Sequence, residues 1–323
     1  MDNNAENNNL DIVLDGGESP SGKKKNARKA KAPKKPMKRS TRRILIVLFV
    51  LLLAVFLFCG YQLYQIVETY YTSRKANNEL ASMVVSKTSE DSGTYSERTV
   101  AHTYVTQRPV MEGEEVSPEG RIVSPGEETV VRREHSPIDV DFDVLLGINT
   151  EVKGWLYSPD TVINYGIVQA GNNDYYLHRL VDKSYNPGGA LFIDYRCAGD
   201  FSGRNTIIYG HHMGDGSMLA SICDYQNQEY YDKHPVMYLN TPDGNYRLDI
   251  VCGFITYFDS RAYIYEFNSR TEFDEWFSLM HSYSDFQSDV TVGGDDRLVT
   301  LSTCTYEYDN ARYVLMAKLV PID

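Results

Sequence analysis

The spacing of apolar positions divides the chain into three stretches. From Ile44 to Val67 the run ILIVLFVLLLAVFLFCGYQLYQIV carries no charge. A helix needs about 20 apolar residues to cross a bilayer core, so the run predicts one transmembrane helix over 44–67. A cleaved signal peptide would instead have an apolar core of about 7–15 residues, followed by small residues. Bulky Tyr61, Leu63 and Tyr64 follow here, and tyrosines suit a membrane interface. A basic tail ahead of a buried core helix is the plainer alternative, and an uncharged run of this length argues against it.

Residues 68–137 lose that pattern. The stretch SKTSEDSGTYSERTVAHTYVTQRPVMEGEEVSPEGRIVSPGEETVVRREHSP is rich in Ser, Thr, Glu, Pro and Gly, with few apolar clusters. Such a composition buries too little surface to offset the entropy of ordering. An extended, largely disordered spacer is expected, with its first part, to about Val85, prolonging the membrane helix.

A compact domain is expected over 138–323. In DVDFDVLLGINTEVKGWL, the positions Val140, Val144, Leu145 and Ile148 recur at helical spacing and predict a short opening helix. Short β-rich runs follow: VINYGIVQA, GALFID, NTIIYGHH, PVMYLNTPDGNYRLDIVCGFITYF, DRLVTLSTC and RYVLMAKLV. The TPDG inside the fourth run marks a hairpin. One helix interrupts the series. Ser269 and Glu272 have the spacing of a capping box, and Phe273, Trp276, Phe277 and Met280 form a stripe for packing on the domain. Many short strands with one or two helices make a mostly β barrel or sandwich. No repeat and no Gly-rich phosphate loop occurs.

Charge orients this layout. Of the 32 Lys or Arg and 44 Asp or Glu, residues 1–43 hold twelve and five, leaving twenty and thirty-nine for the rest. The basic excess flanks the N-terminal side of the span. By the positive-inside tendency, residues 1–43 stay in the cytoplasm and the acidic remainder is exported. The tail GKKKNARKAKAPKKPMKRSTRR is expected to be disordered beside anionic lipid, so its basicity needs no nucleic-acid partner. Among the five cysteines, Cys59 lies in the span, and Cys197, Cys223, Cys252 and Cys304 follow it without any CxxC pair. Zinc and thioredoxin-type motifs are therefore absent. The spacing supports no disulfide framework either, and an exported domain of this size builds a core without staples.

Candidate chemistry collects near three residues. Cys304 ends an apolar run, where the plain reading is a small buried strand residue. A nucleophilic thiol needs a base or positive charge nearby, usually brought from elsewhere in the sequence by the fold. His102 and His135 fall in the spacer, while His178, His234 and His281 read as surface or packing residues. His211 and His212 differ, because they follow the strand NTIIYG and precede the loop MGDGS. A residue just past a strand end is held rigidly yet reaches a cleft, and His serves there as acid or base. Metal binding by HHMGD is disfavoured, since adjacent side chains on extended backbone point opposite ways. Arg312 opens the last run. If that run pairs antiparallel with RLVTLSTC through the loop TYEYDNA, Cys304 and Arg312 share one mouth of the sheet. A guanidinium there steadies a thiolate or a developing oxyanion. The alternative for Arg312 is a surface pair with Glu307 or Asp309.

The combination TLSTC, a following Arg at the start of the last strand, and IIYGHHM upstream resembles the sortases. The opening INTEVKGWLYSPDTVINYGIVQAGNNDYYL, then GALFID, and the helix before the cysteine strand resemble class B sortases in particular. The resemblance covers roughly residues 138–323, with a spacer and an anchor in front. It implies a closed eight-stranded β-barrel with an N-terminal helix and an extra helix before the catalytic strand. One departure is YGI, where the family more often has a YPV-like run, away from the three matched positions. The resemblance assigns Cys304 as nucleophile, His211 as the histidine and Arg312 as the essential arginine, and gives His212 no counterpart.

The implied activity is a single-pass cysteine transpeptidase with its domain outside the cell membrane of a Gram-positive bacterium. Its implied partners are exported proteins with a C-terminal sorting signal, and an amine from a peptidoglycan precursor or, in a polymerising enzyme, a pilin lysine. Ser302, Thr303 and Tyr306 are expected to line the substrate cleft, and no cofactor or metal is implied. A non-catalytic tethered binding module with the same fold is the competing reading. Loss of the Cys, His or Arg would favour it, and all three are present.

Overall fold

The computed structural model describes residues 38–88, 95–101, 104–106, 115–116, 122–124 and 128–322. The expected basic tail lies outside the described residues up to position 37, as does His102 of the spacer. The chain divides into two units, Met1–Phe58 and Cys59–Asp323. Helix α1 (Arg39–Val84) runs from the first unit into the second. Its apolar stretch is unburied, long and apolar enough to cross a membrane.

The second unit begins earlier than composition indicates. Ser73, Ala81 and Val84 of α1 are buried. Ala81 and Val84 pack with Ile138, Leu145, Trp155 and Phe192 in one apolar cluster. Residues 85–87 pair antiparallel with 138–140, and residues 95–101 pair with 128–134. The start of 68–137 belongs to α1, and the low average apolar content hides β-pairing stretches further on. The expectation of an extended, largely disordered spacer is corrected to that extent.

The body of the unit is a closed barrel of eight strands. They are β1 (Val152–Tyr157), β2 (Asn164–Val168), β3 (Leu191–Ile193), β4 (Asn205–Tyr209), β5 (Val236–Thr241), β6 (Gly244–Tyr257), β7 (Leu298–Cys304) and β8 (Ala311–Ile322). Around the barrel they run β3-β4-β7-β8-β6-β5-β1-β2, with β2 closing onto β3. Pairs β2–β3 and β4–β7 are parallel; the other pairs are antiparallel.

Most strands are buried on both faces, so runs such as LVTLST are continuously buried and show no strict apolar–polar alternation. One core fills the barrel and extends beneath the helix before β7; a second lies between the outer wall and the α1 side. Strand β1 escaped the pattern for the same reason. Gly154 lets it close on β5, since a Cβ there would lie 2.9 Å from the Asn240 carbonyl oxygen.

The helices match their signals. Asp141 caps α2 (Phe142–Ile148) by accepting from the Val144 N–H at 3.0 Å, although only Leu145 of its stripe is fully buried. Helix α3 (Gln228–Lys233) is short, and Asn227 caps it by accepting from the Glu229 N–H. Ser269 caps α4 (Arg270–His281), and the Glu272 carboxylate reaches back to the Asn268 N–H at 2.7 Å. Phe273, Trp276, Phe277 and Met280 are buried, each worth roughly 1.5–3 kcal/mol of transfer free energy. The Trp276 indole N–H also donates to the Arg261 carbonyl at 2.7 Å. That contact fixes the turn at 261–263, which carries Tyr263 to the site described next.

Candidate active site

Cys304 is the last residue of β7, and its cross-strand Cα partner is Arg312 at the start of β8. Directly opposed residues of an antiparallel pair put their side chains on one face, about 5 Å apart at Cβ. The connecting loop returns through Asn310, whose φ of 62° Asn tolerates better than most residues. The Thr305 N–H donates to the Ala311 carbonyl at 3.2 Å and closes the mouth.

The parallel neighbour β4 delivers the histidines. Tyr209 is level with Ser302, and the Gly210 N–H donates to the Ser302 carbonyl at 3.1 Å. Carrying that register two residues further sets His211 level with Cys304. Gly210 has no room for a side chain, since a Cβ would meet Leu191 at 2.4 Å. The sequence signal GHH after a strand thus marks a tight exit.

The two rings are held differently. His211 Nε2 lies 2.8 Å from the Leu177 carbonyl oxygen. A carbonyl only accepts, so Nε2 carries the proton and Nδ1 is the free nitrogen of the neutral ring. Burial holds the His211 pKa below its ordinary value. The Leu177 bond opposes this, and the nearby His178 adds to the lowering. The His178 ring stacks 6.2 Å away. His212 Nδ1 instead donates to the backbone carbonyl of Cys304 at 2.9 Å. Its ring lies edge-on to Tyr306 at 5.3 Å and 3.6 Å from the Cys223 sulfur.

Arg312 is half-buried, and its guanidinium donates to the neighbouring Ala311 carbonyl at 2.9 Å. Among the described residues it makes no ion pair with Glu307 or Asp309; Glu307 accepts from the Thr305 hydroxyl. Its charge reaches Tyr263, whose phenol is pushed up to about 12 chiefly by burial. The Tyr263 and Ser302 hydroxyls are hydrogen-bonded at 2.8 Å. Tyr263 stacks on Tyr209, whose hydroxyl donates to Asp194 at 2.9 Å. Burial alone would raise the Asp194 pKa, but bonds from Arg196 and Tyr209 hold it below the usual carboxylate range.

The other expected cleft residues separate. Ser302 is buried on the Cys304 face. Thr303 is buried on the opposite face, because strand side chains alternate, and its hydroxyl has no partner. Its expected place in the cleft is therefore corrected. Tyr306 stands exposed at the rim. The plain readings of His234 and His281 agree with ring contacts to Tyr230 and Phe277. His178 is exposed and stacks on His211, while His212 holds the Cys304 carbonyl; both meetings are tertiary contacts. All five cysteines are free thiols. Burial, with the charges of Glu307 and Asp224, pushes Cys223 up to about 12, so it stays a thiol at neutral pH.

Two clefts open on neighbouring residues. One of about 440 Å³ opens beside His212, lined by Met213, Ser221, Cys223 and Tyr230. The other, about 340 Å³, holds Thr256, the cross-strand partner of Arg312, together with Tyr257, Tyr283 and Tyr308. A thiol, an arginine fork and an imidazole at one end of a rigid sheet are the parts acyl transfer requires.

No family model matches the chain. Sortase B of Listeria monocytogenes is 38% identical over 175 residues, covering 54% of this chain and 71% of that protein. The crystal structure of sortase B from Bacillus anthracis superposes with a TM-score of 0.57 at 30% identity, covering 79% of this chain and 99% of that one. A Staphylococcus aureus sortase B–substrate complex gives 0.54 at 30% identity, covering 56% and 85%. With its eight-stranded barrel and its Cys304–Arg312 mouth, this chain belongs to the sortase family of cysteine transpeptidases, in class B.

Proposed function

We propose that the chain is a membrane-anchored transpeptidase that cleaves the C-terminal sorting signal of exported proteins and joins them to an amine of a peptidoglycan precursor. The cross-strand pairing of Cys304 with Arg312, level with His211, carries this reading. His211 Nδ1 takes the Cys304 proton as the sulfur attacks the scissile carbonyl carbon. The imidazolium keeps its Nε2–H on the Leu177 carbonyl, which offsets part of the cost of charging a buried ring. Arg312 donates to the oxyanion. Collapse breaks the C–N bond, and Nδ1–H protonates the departing amine, leaving a thioester. An incoming amine then attacks that carbonyl, gives its proton to His211, and expels the Cys304 thiolate. His212 fixes the carbonyl end of Cys304 and so aims its side chain. Ser302, held by Tyr263, and the exposed ring of Tyr306 line the approach.

The test uses the full-length protein in detergent micelles with a library of sorting-signal peptides and triglycine. The expected result is cleavage of one peptide class together with an amine-dependent amide product, both absent in Cys304→Ala. Equal cleavage by Cys304→Ala, or none by the native protein, would overturn the reading.

A further inference from the structure

The loop that carries His211 is built to be held from outside. The Leu219 N–H donates back to the His211 carbonyl at 3.1 Å, and His212 and Met218 form an antiparallel bridge. Between them, Asp215 accepts from the Ser217 N–H and hydroxyl, with Gly216 at φ 79° and Met218 at φ 60°. Two positive φ values in three residues give a loop shape that local propensity alone does not favour.

The part of α1 that lies in the second unit supplies the outside hold. Tyr70, Arg74 and Asn77 recur on one helical face. Arg74 donates to the Asp215 carbonyl at 3.2 Å and lies 3.4 Å from its carboxylate. The Asn77 amide meets the Met218 sulfur at 3.8 Å. The Tyr70 hydroxyl closes on Gly214, where a Cβ would lie 2.9 Å away. The same helix also buttresses the other side of the imidazole. Ser73 is buried against Gly188, where a Cβ would lie 2.5 Å from its hydroxyl, and Asn186 donates to Thr72 at 3.4 Å. The Asn186 N–H in turn donates to the carbonyl of His178, next to the Leu177 carbonyl that holds His211.

We propose that residues 70–77 of α1 position His211, gripping both the loop that carries it and the segment that orients its ring, with Arg74 as the principal positioning residue. The contacts to the loop are directional and partly exposed, so they contribute placement more than stability. Placement is costly to lose, because displacing a proton-transfer group by about 1 Å lowers a rate by as much as 10²-fold. The kinetic consequence rests on the transpeptidase reading; the loop order does not.

The test compares full-length protein in detergent micelles with Arg74→Ala, Arg74→Lys and a combined Tyr70→Ala, Arg74→Ala, Asn77→Ala variant. Amide exchange at Leu219 is expected to accelerate about fivefold in Arg74→Ala and about twentyfold in the combined variant, with β8 amides unchanged as proof of folding. Arg74→Lys is expected to recover part of the protection. On a peptide that the native protein cleaves, kcat is expected to fall about threefold and tenfold in the same two variants at unchanged KM. Unchanged exchange at Leu219 in the combined variant would overturn the proposal. So would faster exchange with unaltered kcat. If the native protein cleaves no peptide, the transpeptidase reading fails and the exchange result alone decides whether residues 70–77 hold the loop.

Discussion

The two halves of the active site are held by different kinds of bond. Cys304 and Arg312 belong to adjacent strands whose ladder runs unbroken from Leu298–Lys318 to Cys304–Arg312. Their separation follows from backbone pairing alone. His211 and His212 lie just past the end of β4, where the carbonyls of Leu177 and Cys304 hold their rings and Arg74 of α1 bonds Asp215 in the loop that follows. A ladder spreads a perturbation over many backbone bonds, whereas a loop held by a few contacts shifts when one is lost. The Cys304–Arg312 side is therefore the fixed half and the histidine side the adjustable half.

Four perturbations probe that contrast. The largest effect is expected from Cys304→Ala, which removes the proposed nucleophile and should lower kcat by at least about 10⁴-fold with an unchanged circular dichroism spectrum. Substantial residual thioester formation by this variant, seen by mass spectrometry, would move the chemistry elsewhere. Next, Arg312→Ala is expected to lower kcat about 10²–10³-fold with little change in KM, since only the oxyanion loses its donor. Arg312→Lys should restore little of this, because an ammonium lacks the planar fork. A mere surface role for Arg312 predicts wild-type kinetics for both.

A smaller loss is expected from His212→Ala, which frees the Cys304 carbonyl. One hydrogen bond of about 1 kcal/mol corresponds to roughly a fivefold fall in kcat. A fall equal to that of His211→Ala would contradict the separate roles given to the two rings.

The smallest effect is on stability. Burial lowers the His211 pKa in the folded state, so the unfolded chain binds more protons in the window just below the ordinary imidazole value of about 6.5. Stability from this group is present above that value and is lost on acidification through the folded pKa. His211→Gln should accordingly flatten the melting temperature between about pH 5 and pH 7. An unaltered slope would place the titrating group elsewhere.

Much of this molecule is legible in its sequence, and the exceptions are instructive. The Ser269 cap and the stripe from Phe273 to Met280 are local signals, and α4 follows them closely. The hairpin around Pro242 and Asp243 is likewise local. Strand β1 was hidden, because burial on both faces erases alternation. Thr303 was misplaced, because adjacency to a nucleophile on a strand means the opposite face. What residues 70–84, expected to prolong the membrane helix, pack against is hidden for a third reason: their contacts are few and small, and they have meaning only once the fold presents Gly188 and Gly214 to them.

By itself the sequence determined the uncharged membrane-length run, the succession of strands from β2 to β8, and the three residue types that acyl transfer needs. These rest on local propensity, charge and hydrophobic period. Only the tertiary structure decided that Leu177 orients His211, that His212 holds the Cys304 carbonyl, and that α1 reaches Asp215 across 141 positions of chain. Such contacts join backbone carbonyls or solitary polar side chains across long sequence separations. A carbonyl is present in every residue, so no pattern of side chains announces which one the fold will use.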